Sequence, residues 1–74
     1  MAVIDIVSEI TGTVWKIAAQ VGQRLAPDDE VLVIESMKME IPVCTTQSGT
    51  LLEILVAEAE TVQEGAVVAR LQAD

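Results

Sequence analysis

The sequence has no histidine, phenylalanine or tyrosine, and Trp15 is its only aromatic residue. Because histidine is absent, Cys44, the only cysteine, has no imidazole base to activate it and is not expected to be a catalytic nucleophile. One cysteine cannot form an intramolecular disulfide or a thiolate metal cluster, and this usage is typical of a reducing compartment. We therefore predict no metal site and expect Cys44 to be a small buried hydrophobic residue.

Basic residues are also scarce, since four lysines and arginines stand against twelve acidic residues and give a formal net charge of -8. That balance argues against binding to nucleic acid or to an anionic membrane surface. Residues 1–9 lack the positively charged start of a signal peptide, and no apolar run approaches the ~20 residues that span a bilayer. We expect a cytoplasmic protein, and 74 residues without a linker predict one domain over residues 1–74.

Valine, isoleucine and leucine must build the core in place of the missing aromatic residues. Hydrophobic residues make up 51% of the chain, and the branched Cβ of valine and isoleucine favours extended backbone. The predicted strands are residues 3–7, 14–17, 31–36, 41–45, 51–56 and 66–71, with turns at Gly22, at 27–29 and at Gly65. Residues 56–60 contain alanine and glutamate but are too few for a stable helix. The sequence predicts an all-β fold.

An internal repeat appears when residues 12–35 are laid over residues 49–72. The matched pairs are Gly12 with Gly49, Thr13 with Thr50, Val14 with Leu51, Ile17 with Ile54, Leu25 with Val62, Val31 with Val68 and Ile34 with Leu71. Neither copy can bury an apolar face alone, so we expect the copies to pack against each other with approximate two-fold symmetry.

A lysine flanked by methionines lies in the connection between the two copies. The stretch Glu35-Ser36-Met37-Lys38-Met39-Glu40 separates two predicted strands, and Lys16 is the only other lysine in the chain. A lysine between strands is often a solvated turn residue, and methionine often fills gaps at the edge of a core. The position of Lys38 at the join of two similar halves favours a presented attachment point instead.

These features together resemble the biotinyl domain of the biotin/lipoyl attachment family, the carboxyl carrier module of biotin-dependent carboxylases, in its minimal free-standing form. The resemblance covers nearly the whole chain and is carried by residues 35–40, Gly12-Thr13-Val14, Gly49-Thr50-Leu51 and residues 62–71 with Gly65. It implies a flattened β-barrel or sandwich of two four-stranded antiparallel sheets, a barrel-sandwich hybrid with internal pseudo-two-fold symmetry.

The resemblance also implies a carrier protein that is not itself an enzyme. Biotin would be attached in amide linkage to Lys38, and the partners would be a biotin protein ligase, a biotin carboxylase and a carboxyltransferase. Met37 and Met39 would offer the ligase an adaptable apolar grip, and Glu35 and Glu40 would belong to the same recognition surface. A lysine amine is protonated at neutral pH and the chain has no histidine, so the ligase must remove the proton.

Two other interpretations remain open at this point. A lipoyl domain resembles the same fold, but it usually has aspartate before the modified lysine and alanine after it, where this chain has Met37 and Met39; lipoate could still be a minor second cofactor. The other is an unmodified β-sandwich used as an interaction module, with its acidic surface steering a basic partner.

Several residues depart from the family pattern. Ser36 stands where alanine is usual, Thr45-Thr46 stand where Ala-Pro is common, and Asp28 and Ala59 stand where glycines are common. Aspartate tolerates the left-handed backbone that glycine favours, so Asp28 is acceptable there. We expect Ala59 to need a different backbone conformation.

Overall fold

Extended backbone dominates the computed structural model, which describes residues 2–74. The eight strands are β1 Val3–Val7, β2 Gly12–Ile17, β3 Arg24–Leu25, β4 Glu30–Ser36, β5 Met39–Cys44, β6 Gly49–Ile54, β7 Thr61–Val62 and β8 Val67–Ala73. All six predicted strands are confirmed, with ends that differ by one or two residues. The two-residue strands β3 and β7 were not predicted. Within residues 2–74 there is no helix, and hence none that could cross a membrane.

The strands form two four-stranded antiparallel sheets, as the family resemblance implies. Sheet 1 has the strand order β1-β8-β6-β3, and sheet 2 has the order β5-β4-β2-β7. Each position in one sheet has a counterpart in the other, because β1, β8, β6 and β3 correspond to β5, β4, β2 and β7. The pseudo-two-fold symmetry inferred from the repeat is therefore present, and it extends to β1 and β5, outside the aligned segments.

Hydrogen bonds repeat with the same symmetry. Equivalent residues of the two halves are 37 positions apart in the sequence, as Gly12 and Gly49 are. Ser8 and Thr45, the two fully buried polar side chains, each donate a hydroxyl hydrogen bond to the carbonyl two residues ahead, at 2.6 Å to Ile10 and 2.7 Å to Gln47. These buried hydroxyls are satisfied within their own turns, so neither half needs the other to pair them.

The glycines at the start of β2 and β6 are required by close approach of a neighbouring strand. A Cβ added to Gly12 would lie 2.5 Å from the carbonyl oxygen of Glu35, and one added to Gly49 would collide with the carbonyl oxygen of Gln72. Glu35 and Gln72 are themselves equivalent residues. The Gly-Thr pairs seen in the sequence repeat thus mark the same packing constraint in both halves.

The core lies between the two sheets and is entirely aliphatic. Its largest fully buried hydrophobic side chains are Leu25, Leu32, Ile34, Leu51, Leu71, Val14, Val31 and Val68. Most of them come from the matched pairs of the repeat, so equivalent residues of the two halves fill the core together. Full burial of one such side chain contributes about 1.5–3 kcal/mol, which explains how so small a chain supports the fold without aromatic residues.

Two sequence expectations are wrong. Ala59 is exposed and adopts the left-handed conformation itself, with φ 73°, and its N–H donates to the carbonyl of Val14 at 2.7 Å. Asp28 has φ 71°, as expected. Cys44 is only half-buried, because it lies at the end of the edge strand β5.

Candidate functional site

The hairpin formed by β4 and β5 carries Lys38 at its tip. Ser36 and Met39 form the last strand pair, which leaves a two-residue loop of Met37 and Lys38. Both loop residues have positive φ, 52° at Met37 and 67° at Lys38, the pattern of a type I′ turn. Such turns usually contain asparagine and glycine; other residues cost about 1–2 kcal/mol each in this conformation. Lys38 is thus one of two consecutive strained residues in this turn.

Side chains at the tip are directed into solvent. Met37 is 91% exposed and Met39 is 62% exposed, while Lys38 between them is also exposed. Large apolar side chains with this exposure do not fill gaps in a core. The interpretation that the two methionines pack at the edge of the core is therefore excluded. They offer a flexible apolar surface on both sides of the lysine.

Lys38 is not engaged by any carboxylate among residues 2–74. The two arginines are paired, Arg24 with Asp74 and Arg70 with both Asp5 and Glu53, whereas the described part of the chain gives Lys38 no hydrogen bond or ion pair. Its amine is thus exposed without an ion-pair partner among residues 2–74. Covalent attachment of a carboxylic acid cofactor fits this arrangement, because it requires only an accessible amine.

Glu35 and Glu40 face each other across the hairpin, one strand pair below Ser36 and Met39. Both carboxylates are exposed, and Thr13 of β2 continues the row beside Glu35. The five residues that the sequence analysis assigned to the attachment site, Glu35, Met37, Lys38, Met39 and Glu40, are therefore together at one end of sheet 2. They form an apolar and acidic collar around one lysine.

Cys44 lies away from this tip, beside a groove of about 430 Å³ between β1 and β5. Its neighbours there include Val7, Ile10 and Val43. Burial, followed by the charges of Glu30, Asp28 and Asp29, raises the pKa of the Cys44 thiol above its ordinary value. The thiol therefore stays protonated at neutral pH, which makes it a poor nucleophile.

Trp15 was given no role in the sequence analysis, yet it is 48% exposed on the outer face of sheet 2. The alternation from the buried Val14 could have predicted its outward direction. Its cross-strand surroundings could not be read from the sequence, because β2 has a bulge between Val14 and Lys16.

Comparisons with known proteins agree with this geometry. The sequence model of the biotin/lipoyl family, described as biotin-requiring enzyme, matches residues 2–71. The chain is 36% identical over 63 residues to the biotin/lipoyl attachment protein of Bacillus subtilis, covering 85% of this chain and 86% of that protein. It is 31% identical over 65 residues to a biotinylated protein TB7.3 homolog of Mycobacterium leprae, covering 88% and 92%.

Solved structures show the same fold. The urea carboxylase of Kluyveromyces lactis contains a region that superimposes with a TM-score of 0.92 and 36% identity. That region covers 97% of this chain but only 6% of the carboxylase chain, so the likeness concerns one domain of a much larger protein. The sequence match, the two symmetric sheets and the superposition lead to one conclusion: the chain belongs to the biotin/lipoyl attachment domain family.

Proposed function

We propose that the chain is a carrier of biotin, attached through an amide bond to Lys38, in a biotin-dependent carboxylase system. The observation that carries the proposal is the turn of Met37 and Lys38, whose strained backbone holds one unpaired lysine clear of the molecule. Strained non-glycine backbone clusters at functional sites, and in this turn two consecutive residues carry it. The biotinylated relative supports biotin as the cofactor.

Attachment would require little of the chain beyond presentation. The Nζ of Lys38 forms the new amide bond with the activated carboxyl group of biotin, and the activating group leaves. The amine must first lose a proton, and the residues around it, Glu35, Met37, Met39 and Glu40, include no neutral base suited to that step. The ligase supplies the base, while the two methionines and two glutamates position the hairpin.

Once attached, biotin supplies the chemistry of carrying a carboxyl group. Lys38 acts as its tether, and the rigid β4–β5 hairpin sets the point from which the tether extends. Tethering on a short link raises the effective concentration of the cofactor to about the millimolar range at each docked active site. A biotin carboxylase and a carboxyltransferase are the partners that such a carrier would bind in turn. We propose that this exchange takes place in the cytoplasm.

Lipoate is the second candidate cofactor. The name of the Bacillus subtilis relative includes both biotin and lipoyl attachment, and the exposed Lys38 amine would accept either carboxylic acid. Met37 and Met39 favour biotin, because lipoyl domains resemble this fold but usually have aspartate and alanine at these two positions.

Intact-mass spectrometry tests the proposal and separates the two cofactors. The chain is incubated with a biotin protein ligase or with a lipoate ligase, each with ATP and its cofactor, and then mapped by peptide. We expect a biotin increment on the Lys38 peptide of the wild type and none on Lys38→Arg. A lipoyl increment alone would replace biotin with lipoate, and an unmodified mass with both ligases would overturn the carrier proposal.

A further inference from the structure

The outer faces of the two sheets carry different chemistry on the same backbone frame. In sheet 1, Glu53, Arg70 and Asp5 form one cross-strand row. Arg70 donates to Asp5 at 3.1 Å and to Glu53 at 2.6 Å. The charged groups of this row therefore satisfy one another, and the row offers little to a partner protein.

The equivalent row in sheet 2 is Lys16, Val33 and Pro42. Beside it, Trp15 lines a shallow depression of about 350 Å³ whose other walls are Lys16, Glu30, Val33, Glu40 and Pro42. The Nζ of Lys16 lies 5.6 Å from the centroid of the Trp15 ring. Because sheet 1 forms the same frame with an ionic row, the fold does not require a depression of mixed apolar and charged residues here.

We call the six residues of this depression the Trp15 face. A half-exposed tryptophan is a suitable centre for an interface, since tryptophan is among the residues that dominate binding energy. Val33 lies buried beneath it, and Pro42 is exposed beside it. Glu30 and Glu40 border the apolar surface and would pair with cations. The chemistry that fits is a protein surface with an apolar pocket edged by arginine or lysine.

The short distance between the Trp15 face and Lys38 indicates which partner protein would bind this face. Three register steps separate the closing pair of Ser36 and Met39 from the pair of Val33 and Pro42, a span of about 10 Å along the strands. A standard interface covers about 800 Å² on each partner and so extends well beyond that distance. A ligase that acylates the unmodified lysine must approach the hairpin to within the length of the Lys38 side chain. The enzymes that act after attachment reach a cofactor that extends farther from the hairpin.

We propose that the Trp15 face is the docking surface for the ligase that acylates Lys38. This inference rests on the proposed carrier function and assigns a contact region outside the hairpin tip. The ligase would hold sheet 2 by its outer face while the Lys38 side chain enters the active site.

The internal symmetry provides a matched control for the test. Leu52 is the counterpart of Trp15, lies at the corresponding bulge of β6 and is 37% exposed on sheet 1. With a biotin protein ligase that modifies the wild type, we expect Trp15→Ala to lower kcat/KM for the carrier at least tenfold, mainly through KM. Leu52→Ala should stay within about twofold of the wild type, as a truncation outside an interface does.

Two further variants separate docking from folding. Lys16→Glu/Val33→Arg/Pro42→Asp installs on sheet 2 the residues that sheet 1 has at the equivalent positions, and it should also raise KM while it melts cooperatively. Lys38→Arg cannot be acylated but should compete with the wild type for the ligase. Adding Trp15→Ala to Lys38→Arg should weaken that inhibition at least tenfold.

The outcomes distinguish this inference from the carrier proposal. If the wild type is biotinylated while Trp15→Ala matches Leu52→Ala in KM and in inhibition, the docking assignment is wrong and the carrier function stands. If a biotin ligase leaves the wild type unmodified and a lipoate ligase modifies it, the biotin proposal fails. The comparison of Trp15→Ala with Leu52→Ala then tests the docking face with the lipoate ligase.

Discussion

Ala59 and Gly22 occupy the same left-handed backbone position in the two halves, with φ 73° and 90°. The N–H of Ala59 donates to Val14, and the N–H of Gly22 donates to Leu51, both at 2.7 Å. The two turns have one geometry, but alanine in this conformation costs about 1–2 kcal/mol.

Ala59→Gly should therefore stabilise the protein. We expect the free energy of unfolding to rise by about 1 kcal/mol, somewhat below the full strain because glycine also gains freedom in the unfolded chain. Gly22→Ala is the matched control and should lower the free energy of unfolding by a similar amount. A methyl group at this position meets open space, so the positive φ is the only source of strain. Urea unfolding measures both, and a destabilised Ala59→Gly protein would contradict the explanation.

Substitutions at Met37 should separate turn strain from recognition. Met37→Gly relieves the positive φ and should raise the free energy of unfolding by about 1 kcal/mol, yet it should slow acylation of Lys38 because the exposed apolar side chain is lost. Met37→Val should lower stability, since a branched Cβ resists this conformation more than the side chain of methionine does. Thermal unfolding and ligase kinetics on the same samples give both values. Unchanged acylation of Met37→Gly would show that Met37 shapes the turn only.

Replacing Glu40 should also affect stability and modification in opposite directions. Glu35 and Glu40 are directly opposed like charges, so Glu40→Lys should raise the free energy of unfolding by about 0.2–1 kcal/mol. The same change reverses a charge in the collar around Lys38 and should reduce kcat/KM for the ligase. Raising the salt concentration should shrink the difference from the wild type, because these carboxylates are exposed. A kinetic deficit that does not respond to salt would point to shape instead of charge.

Cys44 should react slowly with a thiol reagent such as a disulfide dye. Burial and the nearby acidic groups raise the pKa of its thiol, so the reactive thiolate appears at higher pH in the folded protein than in the urea-unfolded chain. The raised pKa also makes stability depend on pH. The contribution of Cys44 to the free energy of unfolding is present below the ordinary thiol pKa and is lost as the pH rises through the raised pKa of the folded protein. Reaction rates measured against pH in both states test this. A lower midpoint in the folded protein would refute it.

Much of the fold could be predicted from the sequence because the same signals occur twice. Gly12 and Gly49 begin equivalent strands, and the aliphatic pairs between residues 12–35 and 49–72 fill one core. The strands β3 and β7 were missed because two residues of extended backbone between turns leave no periodic pattern. The expectation for Ala59 is wrong because the hydrogen bond from its N–H to Val14 overrides the backbone preference of alanine.

The candidate site was only partly predictable. Residues 35–40 are contiguous, so their meeting at the hairpin tip follows from one turn. The Trp15 face joins residues from three strands whose alignment depends on a bulge in β2, and a single extra residue moves every later side chain to the other face. The difference between the two outer faces becomes visible only when cross-strand neighbours are known.

The repeat at 37 positions makes the chain equivalent to a homodimer whose subunits have been fused. The N–H of Ala73 donates to the carbonyl of Ala2 at 2.8 Å, and these two residues correspond to Ser36 and Met39, the closing pair of the Lys38 hairpin. A true homodimer of this shape would assemble only above its dissociation constant and would carry two identical lysine hairpins. Fusion makes assembly independent of concentration and allows equivalent positions to diverge, so that sheet 2 presents a single lysine hairpin while the outer row of sheet 1 carries ion pairs.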